Sequence, residues 1–115
     1  MHELSIAEAL IEQVQREVQR SGHRGRVQRL ELSIGRLSGV SSESLRFAFE
    51  LLAPGTLVEK AKVAIVQPKA LCRCHACHAR KEIDDVVVQC PACGSMEVVI
   101  EGGRDLILQS IDLED

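Results

Sequence analysis

Four of the five cysteines fall into two Cys-x-x-Cys pairs, Cys74-His75-Ala76-Cys77 and Cys90-Pro91-Ala92-Cys93, with 12 residues between them. Each pair can set two thiolates on one side of an ion, and two pairs complete a tetrahedral set of four sulfurs. Soft ligands in that geometry select zinc or an iron–sulfur centre. The second pair runs into Gly94 in the Cys-Pro-x-Cys-Gly form of zinc ribbons, so zinc is the expected ion. A catalytic zinc keeps a position open for water and usually has three protein ligands. Four cysteines leave no such opening, and the site reads as structural. A thioredoxin-like redox role needs one Cys-x-x-Cys at a helix N-terminus in a βαβ frame, which the pattern lacks. Cys72 is left over and reads as a thiol with no role of its own, with ligand exchange at Cys74 as the sharper alternative. His75 and His78 read as solvated residues or donors to a sulfur. The alternative is a second metal, or a pH-dependent change at the zinc.

Met1-His2-Glu3 is a second candidate. Initiator methionine is removed only before a small residue, so Met1 should stay and leave an α-amine beside His2. The amine, the deprotonated His2 amide and the His2 ring nitrogen form adjacent fused chelate rings. The Glu3 amide or carboxylate can supply a fourth donor. A planar, nitrogen-rich set suits Ni(II) or Cu(II) rather than tetrahedral zinc. On these residues alone the alternative stands: a histidine at position 2 by accident, with Glu3 a favourable first-turn acid near a helix dipole.

The elements that must position these residues follow from periodicity. Ile6, Leu10, Val14 and Val18, with Ala7 and Ile11 beside them, predict a helix over 4–20 that Gly22 ends with a left-handed cap. Leu30, Leu32 and Ile34 alternate with polar residues and predict a strand over 26–35. Ser41 or Ser42 caps a second helix over about 42–53, striped by Leu45, Ala48, Phe49 and Leu52 and ended by Pro54-Gly55. Strands are predicted over 62–67 and 105–113. The fold class is α+β: two helices packed on a three-stranded sheet, with an inserted zinc-ribbon-like four-cysteine module. Residues 1–68 and 104–115 form one domain, and 69–103 the insertion. Ile83, Val86–Val88 and Val98–Ile100 predict short strands around the metal. A section of about 35 residues rarely builds a core of its own and needs a metal or disulfides to fold. A structural zinc contributes about 10–16 kcal/mol of apparent folding free energy in such modules.

Composition narrows the function. The 115 residues are 45% hydrophobic, yet Phe47 and Phe49 are the only aromatics, so the core must be aliphatic. A net charge of −3 and the lack of a basic block argue against nucleic acid, and so does the shortage of rings for base stacking. No apolar run approaches the roughly 20 residues that span a bilayer. The acidic start is unlike a signal peptide, which makes a cytoplasmic protein with reduced cysteines the expectation. Nothing resembles a catalytic dyad, and no phosphate-binding Gly-x-x-x-x-Gly-Lys-Ser/Thr loop occurs, so the chain reads as a carrier and not an enzyme.

Met-His-Glu-Leu-Ser-Ile at 1–6, Leu-Ser-Ile-Gly-Arg-Leu at 32–37, Phe47-Ala48-Phe49-Glu50, Pro54-Gly55-Thr56 and the paired cysteines stand in an order that resembles the HypA/HybF family of hydrogenase nickel-incorporation proteins. The resemblance spans essentially the whole chain, and the extra Cys72 occurs in some members. It implies that His2 is the principal nickel ligand, with the Met1 amine and Glu3 contributing, and that Cys74, Cys77, Cys90 and Cys93 bind zinc. It implies a nickel metallochaperone that carries Ni(2+) as cargo and Zn(2+) as a structural ion. The implied partners are the GTPase HypB and the precursor of the NiFe-hydrogenase large subunit, with urease and its accessory proteins as a further destination. Family members occur as monomers and homodimers, including forms with a swapped zinc module. The alternative is a zinc-stabilised protein-interaction module with no nickel cargo.

Overall fold

The computed structural model describes residues 2–114. Two helices and six strands run in the order α1 (His2–Ser21), β1 (Val27–Ile34), α2 (Ser42–Leu52), β2 (Lys62–Val66), β3 (Ala70–Cys74), β4 (Arg80–Ile83), β5 (Val98–Glu101) and β6 (Leu106–Leu113). They divide into two compact units. The first comprises Met1–Leu32, Val40–Ile65 and Ile107–Asp115; the second comprises Ser33–Gly39 and Val66–Leu106. The fold class is the expected α+β arrangement with an inserted four-cysteine module.

In the first unit α1 buries Ala7, Leu10, Ile11, Val14 and Val18, the stripe that 3.6-residue periodicity requires. The helix begins at His2, two residues before its expected start, with Glu3 as the acid of its first turn. It stops where Gly22 takes φ +78° and donates its N–H to the Gln19 carbonyl. Ser41 caps α2: its backbone is extended and its side chain accepts the Ser44 N–H at 3.2 Å. Leu45, Ala48 and Phe49 face inward, whereas Leu52 is only half-buried. The sheet runs β2–β1–β6, so the strand carrying buried Val27, Leu30, Leu32 and Ile34 lies in the middle.

The second unit is a three-stranded sheet ordered β4–β3–β5. Both partners are antiparallel to β3, with Cys72 opposite Lys81 on one side and Ile100 on the other. Ala70, Cys72 and Ile83 form its core, with Leu37, Val87, Val98 and Ile100 packed around them. The segment Ser33–Gly39 belongs here because it is bonded here. Gly35 donates to the Asp105 carbonyl at 2.9 Å, Arg36 to Pro68 at 3.0 Å and Leu37 to Gly103 at 2.6 Å. The Arg36 guanidinium adds Asp84 at 3.0 Å. One expected strand is absent: Val86–Val88 form no strand, and Val86 and Val88 are exposed. That run lies in a short loop between Asp84-Asp85 and the second cysteine pair, and only Val87 turns toward the core.

Gly35 has no room for a side chain, because a Cβ there would fall inside the Gly103 carbonyl. Gly35→Ala is therefore expected to destabilise the chain by more than about 2 kcal/mol, since backbone on both sides must move. Urea unfolding followed by circular dichroism checks this in a chain without Trp or Tyr. A loss no larger than that of an ordinary surface substitution would show that the Gly35–Gly103 approach is not tight.

Candidate functional site

Cys74, at the end of β3, and Cys77 flank one tight turn; Cys90 and Cys93 flank another. The turns are near copies. In the first, Cys74 Sγ accepts the N–H groups of Ala76 (3.3 Å) and Cys77 (3.4 Å). In the second, Cys90 Sγ accepts those of Ala92 (3.3 Å) and Cys93 (3.4 Å). Cys74 donates its N–H to the Ala79 carbonyl and Cys90 its own to Ser95, at the same five-residue offset. The residue after each second cysteine is left-handed, Gly94 at φ +80° and His78 at +64°. His78 thus holds a place that suits glycine, and it is exposed, as is His75.

The four sulfurs lie within 4.8 Å of one another, with Cys74–Cys93 and Cys77–Cys90 both at 3.7 Å. A disulfide needs about 2.05 Å, so no pair is bonded. A tetrahedral ion with Zn–S bonds of about 2.3 Å requires sulfurs about 3.8 Å apart, which these separations match. The donor set of Cys74, Cys77, Cys90 and Cys93 therefore fits a zinc ion, which these four sulfurs would hold. Cys74 and Cys90 are buried while Cys77 and Cys93 are exposed, so the cluster sits at the surface. Cys72 is buried in the module's core on the same strand face and behaves as a small apolar side chain; burial pushes its thiol up.

Charge is the problem the cluster sets. The Cys93 amide draws the Cys90 thiol down to about 6, aided by the Ala92 amide and opposed by burial. The Cys77 amide lowers Cys74 in the same way. At Cys93 the Ser95 amide lowers the pKa, but the thiols of Cys77, Cys74 and Cys90 together with burial push it up to about 12. The first protons leave readily and the last does not, because thiolates this close repel one another. A divalent cation removes that repulsion.

His2 and Glu3 occupy the first turn of α1, in the other unit. His2 is exposed. The first N–H groups of a helix have no intrahelical acceptor, and the His2 amide is one of them. The Glu3 carboxylate Oε2 accepts the Ser41 N–H at 3.1 Å, and that amide holds it below the ordinary carboxylate range. Met1, expected to supply its amine, lies outside the described residues. Sequence reasoning missed the groove beside this turn, lined by Glu3, Leu4, Ser44, Phe47, Ala48 and Leu51. Leu4, Phe47 and Leu51 are 45%, 60% and 59% exposed. Phe47 and Leu51 stand four residues apart on α2, a spacing that could have flagged a second, outward apolar stripe.

Fold and site together define a small α+β protein that carries a four-cysteine metal module. The family model described as hydrogenase/urease nickel incorporation, metallochaperone, hypA matches residues 1–113. The hydrogenase maturation factor HypA of Chlorobaculum tepidum is 40% identical over 114 residues, covering 99% of this chain and all of that one. The factor of the same name from Methanocaldococcus jannaschii is 32% identical over 121 residues, covering 99% and 98%. Among solved structures, one described as the HypA protein has a TM-score of 0.68 at 25% identity, covering 99% of this chain and 97% of that one. The nickel metallochaperone HypA of Helicobacter pylori has a TM-score of 0.65 over 96% of each chain at 24% identity, which speaks for the fold. The chain belongs to the HypA family of nickel metallochaperones, which serve hydrogenase maturation.

Two outcomes follow from the cluster. His78→Gly removes a side chain from a left-handed position; part of that gain is lost to unfolded-state entropy, leaving about 1 kcal/mol. Cobalt substituted into the cluster should then bind roughly 5-fold more tightly in chelator competition, while Gly94→Ala should weaken it; equal affinities would show the position unstrained. Protons compete with the metal for thiolates. Metal should be held above neutrality and released in acid, below the point near 6 where Cys90 takes up its proton in the metal-free chain. Metal content after dialysis across pH checks the sign.

Proposed function

We propose that the chain carries Ni(II) at its N-terminus and hands it over during maturation of NiFe-hydrogenase. The observation that carries this reading is exposed His2 on the first turn of α1, where its amide has no helical acceptor. Deprotonating that amide breaks no helix hydrogen bond. The α-amine, the His2 amide and the His2 ring nitrogen make two fused chelate rings in one plane, with the fourth place, opposite the His2 amide, open to the Glu3 carboxylate or another donor; Ni(II) accepts such a set. An exposed set at a chain end lets incoming ligands displace the donors one at a time, which a carrier needs. Residues 1–68 with 104–115 form the nickel-binding domain. Residues 69–103 form the zinc-binding domain, in which Cys74, Cys77, Cys90 and Cys93 hold a structural zinc.

The GTPase HypB and the hydrogenase large-subunit precursor are the proposed partners in the cytoplasm, with urease a second destination for nickel. The Leu4–Phe47–Leu51 groove supports this, because ligand exchange demands that a recipient reach His2, and Glu3 lines the groove. Exposed apolar surface of this kind marks protein contacts. It also favours the second reading, a zinc-stabilised interaction module without cargo.

Nickel titration of untagged, zinc-loaded protein separates the two. His2→Ala, and an extra glycine placed before Met1, should each weaken nickel binding by at least roughly 10-fold without changing zinc content. Unaltered nickel binding in both would leave the interaction module as the better reading. Phe47→Glu, at an exposed position, should spare nickel affinity and slow transfer to the recipient; unimpaired transfer would remove the groove from the handover.

A further inference from the structure

The two cysteine turns are near copies, yet their sulfurs are not equally protected. Cys74 Sγ and Cys90 Sγ are buried, and each accepts two backbone N–H groups. Cys93 is exposed, but its sulfur takes the Ser95 N–H, just beyond Gly94 at φ +80°. Cys77 holds the matching place in the first turn, where the left-handed residue is His78. It is exposed, and among the described residues no backbone N–H is bonded to its sulfur, whose partner is Cys90 Sγ at 3.7 Å. Each N–H that a thiolate accepts spreads its charge and occupies a lone pair that an electrophile would need. A metal-bound thiol is deprotonated outright, so on the zinc reading access and hydrogen bonding rank the four sulfurs.

Charge separates the turns as well. Between Ala70 and Lys81 lie Arg73, His75, His78, Arg80 and Lys81, and no acid. From Glu82 to Gly103, the stretch that holds the second turn, there are acids and no Lys, Arg or His. Arg73 stands directly opposite Arg80 across the β3–β4 ladder, a like-charge pair of the kind that costs stability. Glu101 answers only Arg73, at 3.2 Å, which leaves exposed Arg80 and Lys81 beside the turn that carries Cys77. Exposure in an electropositive setting is what marks a reactive thiolate.

We infer that Cys77 is a modification site, the thiolate of the cluster that reacts first with a small anionic disulfide, one whose two halves carry carboxylates. This rests on the structural-zinc reading. The Cys77 sulfur attacks one sulfur of the disulfide. A new S–S bond forms to Cys77, the S–S bond of the reagent breaks, and its second half leaves as a thiolate with the electron pair. Cys77 is oxidised to a mixed disulfide and the leaving half is reduced, with no proton transferred. The cluster then keeps three thiolates and its hold on the metal weakens. Because that metal also closes the unit, the state of the surrounding thiol pool is read out as metal retention and folding.

The test uses the full-length chain purified with zinc, its zinc content measured, and limiting glutathione disulfide as the probe. Acid stops the reaction, the remaining thiols are alkylated under denaturing conditions, and peptide fragmentation locates the adduct. Cys77 is expected to carry the first adduct, formed at least roughly 5-fold faster than the one at Cys93, with Cys74 and Cys90 slower still. Zinc should reach a chromophoric chelator in step with that adduct. Iodoacetamide, which is neutral, should keep the same order, since exposure and N–H bonding are unchanged. Arg80→Gln/Lys81→Gln should slow glutathione disulfide about 3-fold or more at low salt and leave the iodoacetamide rate alone. A first adduct at Cys93, equal rates at Cys77 and Cys93, or four adducts that arise together would overturn the assignment. An unchanged disulfide rate in the double variant would overturn the anionic class. Should that variant fail to fold, salt decides: the disulfide rate on wild type must fall as salt rises while the iodoacetamide rate stays level. A chain that holds no zinc sinks the zinc reading and this inference with it; a zinc-loaded chain that reacts in another order sinks only the inference.

Discussion

The second unit depends on four sulfur atoms held closer together than four thiolates will tolerate without a cation. Its apolar core consists of Ala70, Cys72 and Ile83 with four half-covered neighbours, too little to hold a sheet by burial alone. What closes the unit is the pair of turns around the cluster. Cys74 ends β3 and faces Val98 across the β5 ladder, and its amide bonds to Ala79 just before β4 begins. Cys90 and Cys93 lie in the connection between β4 and β5. An ion that draws the four sulfurs together therefore fixes the loop between β3 and β4 and the return to β5 in one step. That makes binding energy and folding energy one quantity here.

The two candidate metal centres answer opposite demands with the same physics. In the cysteine cluster, backbone amides point at sulfur, two thiols are buried, and both turns are built to one pattern. Such a site is preorganised and hard to empty. At the start of α1 the proposed donors include the His2 amide, which has no acceptor within the helix, and one exposed imidazole. On the proposed reading, structure and cargo are kept apart by these differences in enclosure.

Short-range features were legible in the sequence. The cysteine spacing located all four members of the cluster, and periodicity located α1, α2, β1, β2 and β6, because capping and burial are decided within a few residues. What escaped was long-range. The Arg36 and Leu37 bonds that draw 33–39 into the second unit join residues more than thirty positions apart, as does the Glu3–Ser41 bond. Val86–Val88 has the composition of a strand but lies in the loop that leads into the second cysteine turn. His78 is a further case: its left-handed backbone shows only once its turn is laid beside the one that ends in Gly94.

Metal selection follows from the same contrast. Raw affinity favours copper over nickel and zinc at nearly any nitrogen or sulfur site, so a carrier cannot choose its cargo by binding strength alone. Geometry and ligand type can do part of the work. A tetrahedron of soft thiolates suits zinc, and a planar set of amine, amide and imidazole nitrogens suits Ni(II) or Cu(II) but not zinc. On the proposed reading, each set of donors suits one ion and not the other. On that reading copper is the competitor at the N-terminus, and geometry does not exclude it there. Discrimination against it would then come from the supply of ions and from the protein that receives the metal, which would give the exposed apolar groove beside Glu3 a part in specificity as well as in contact.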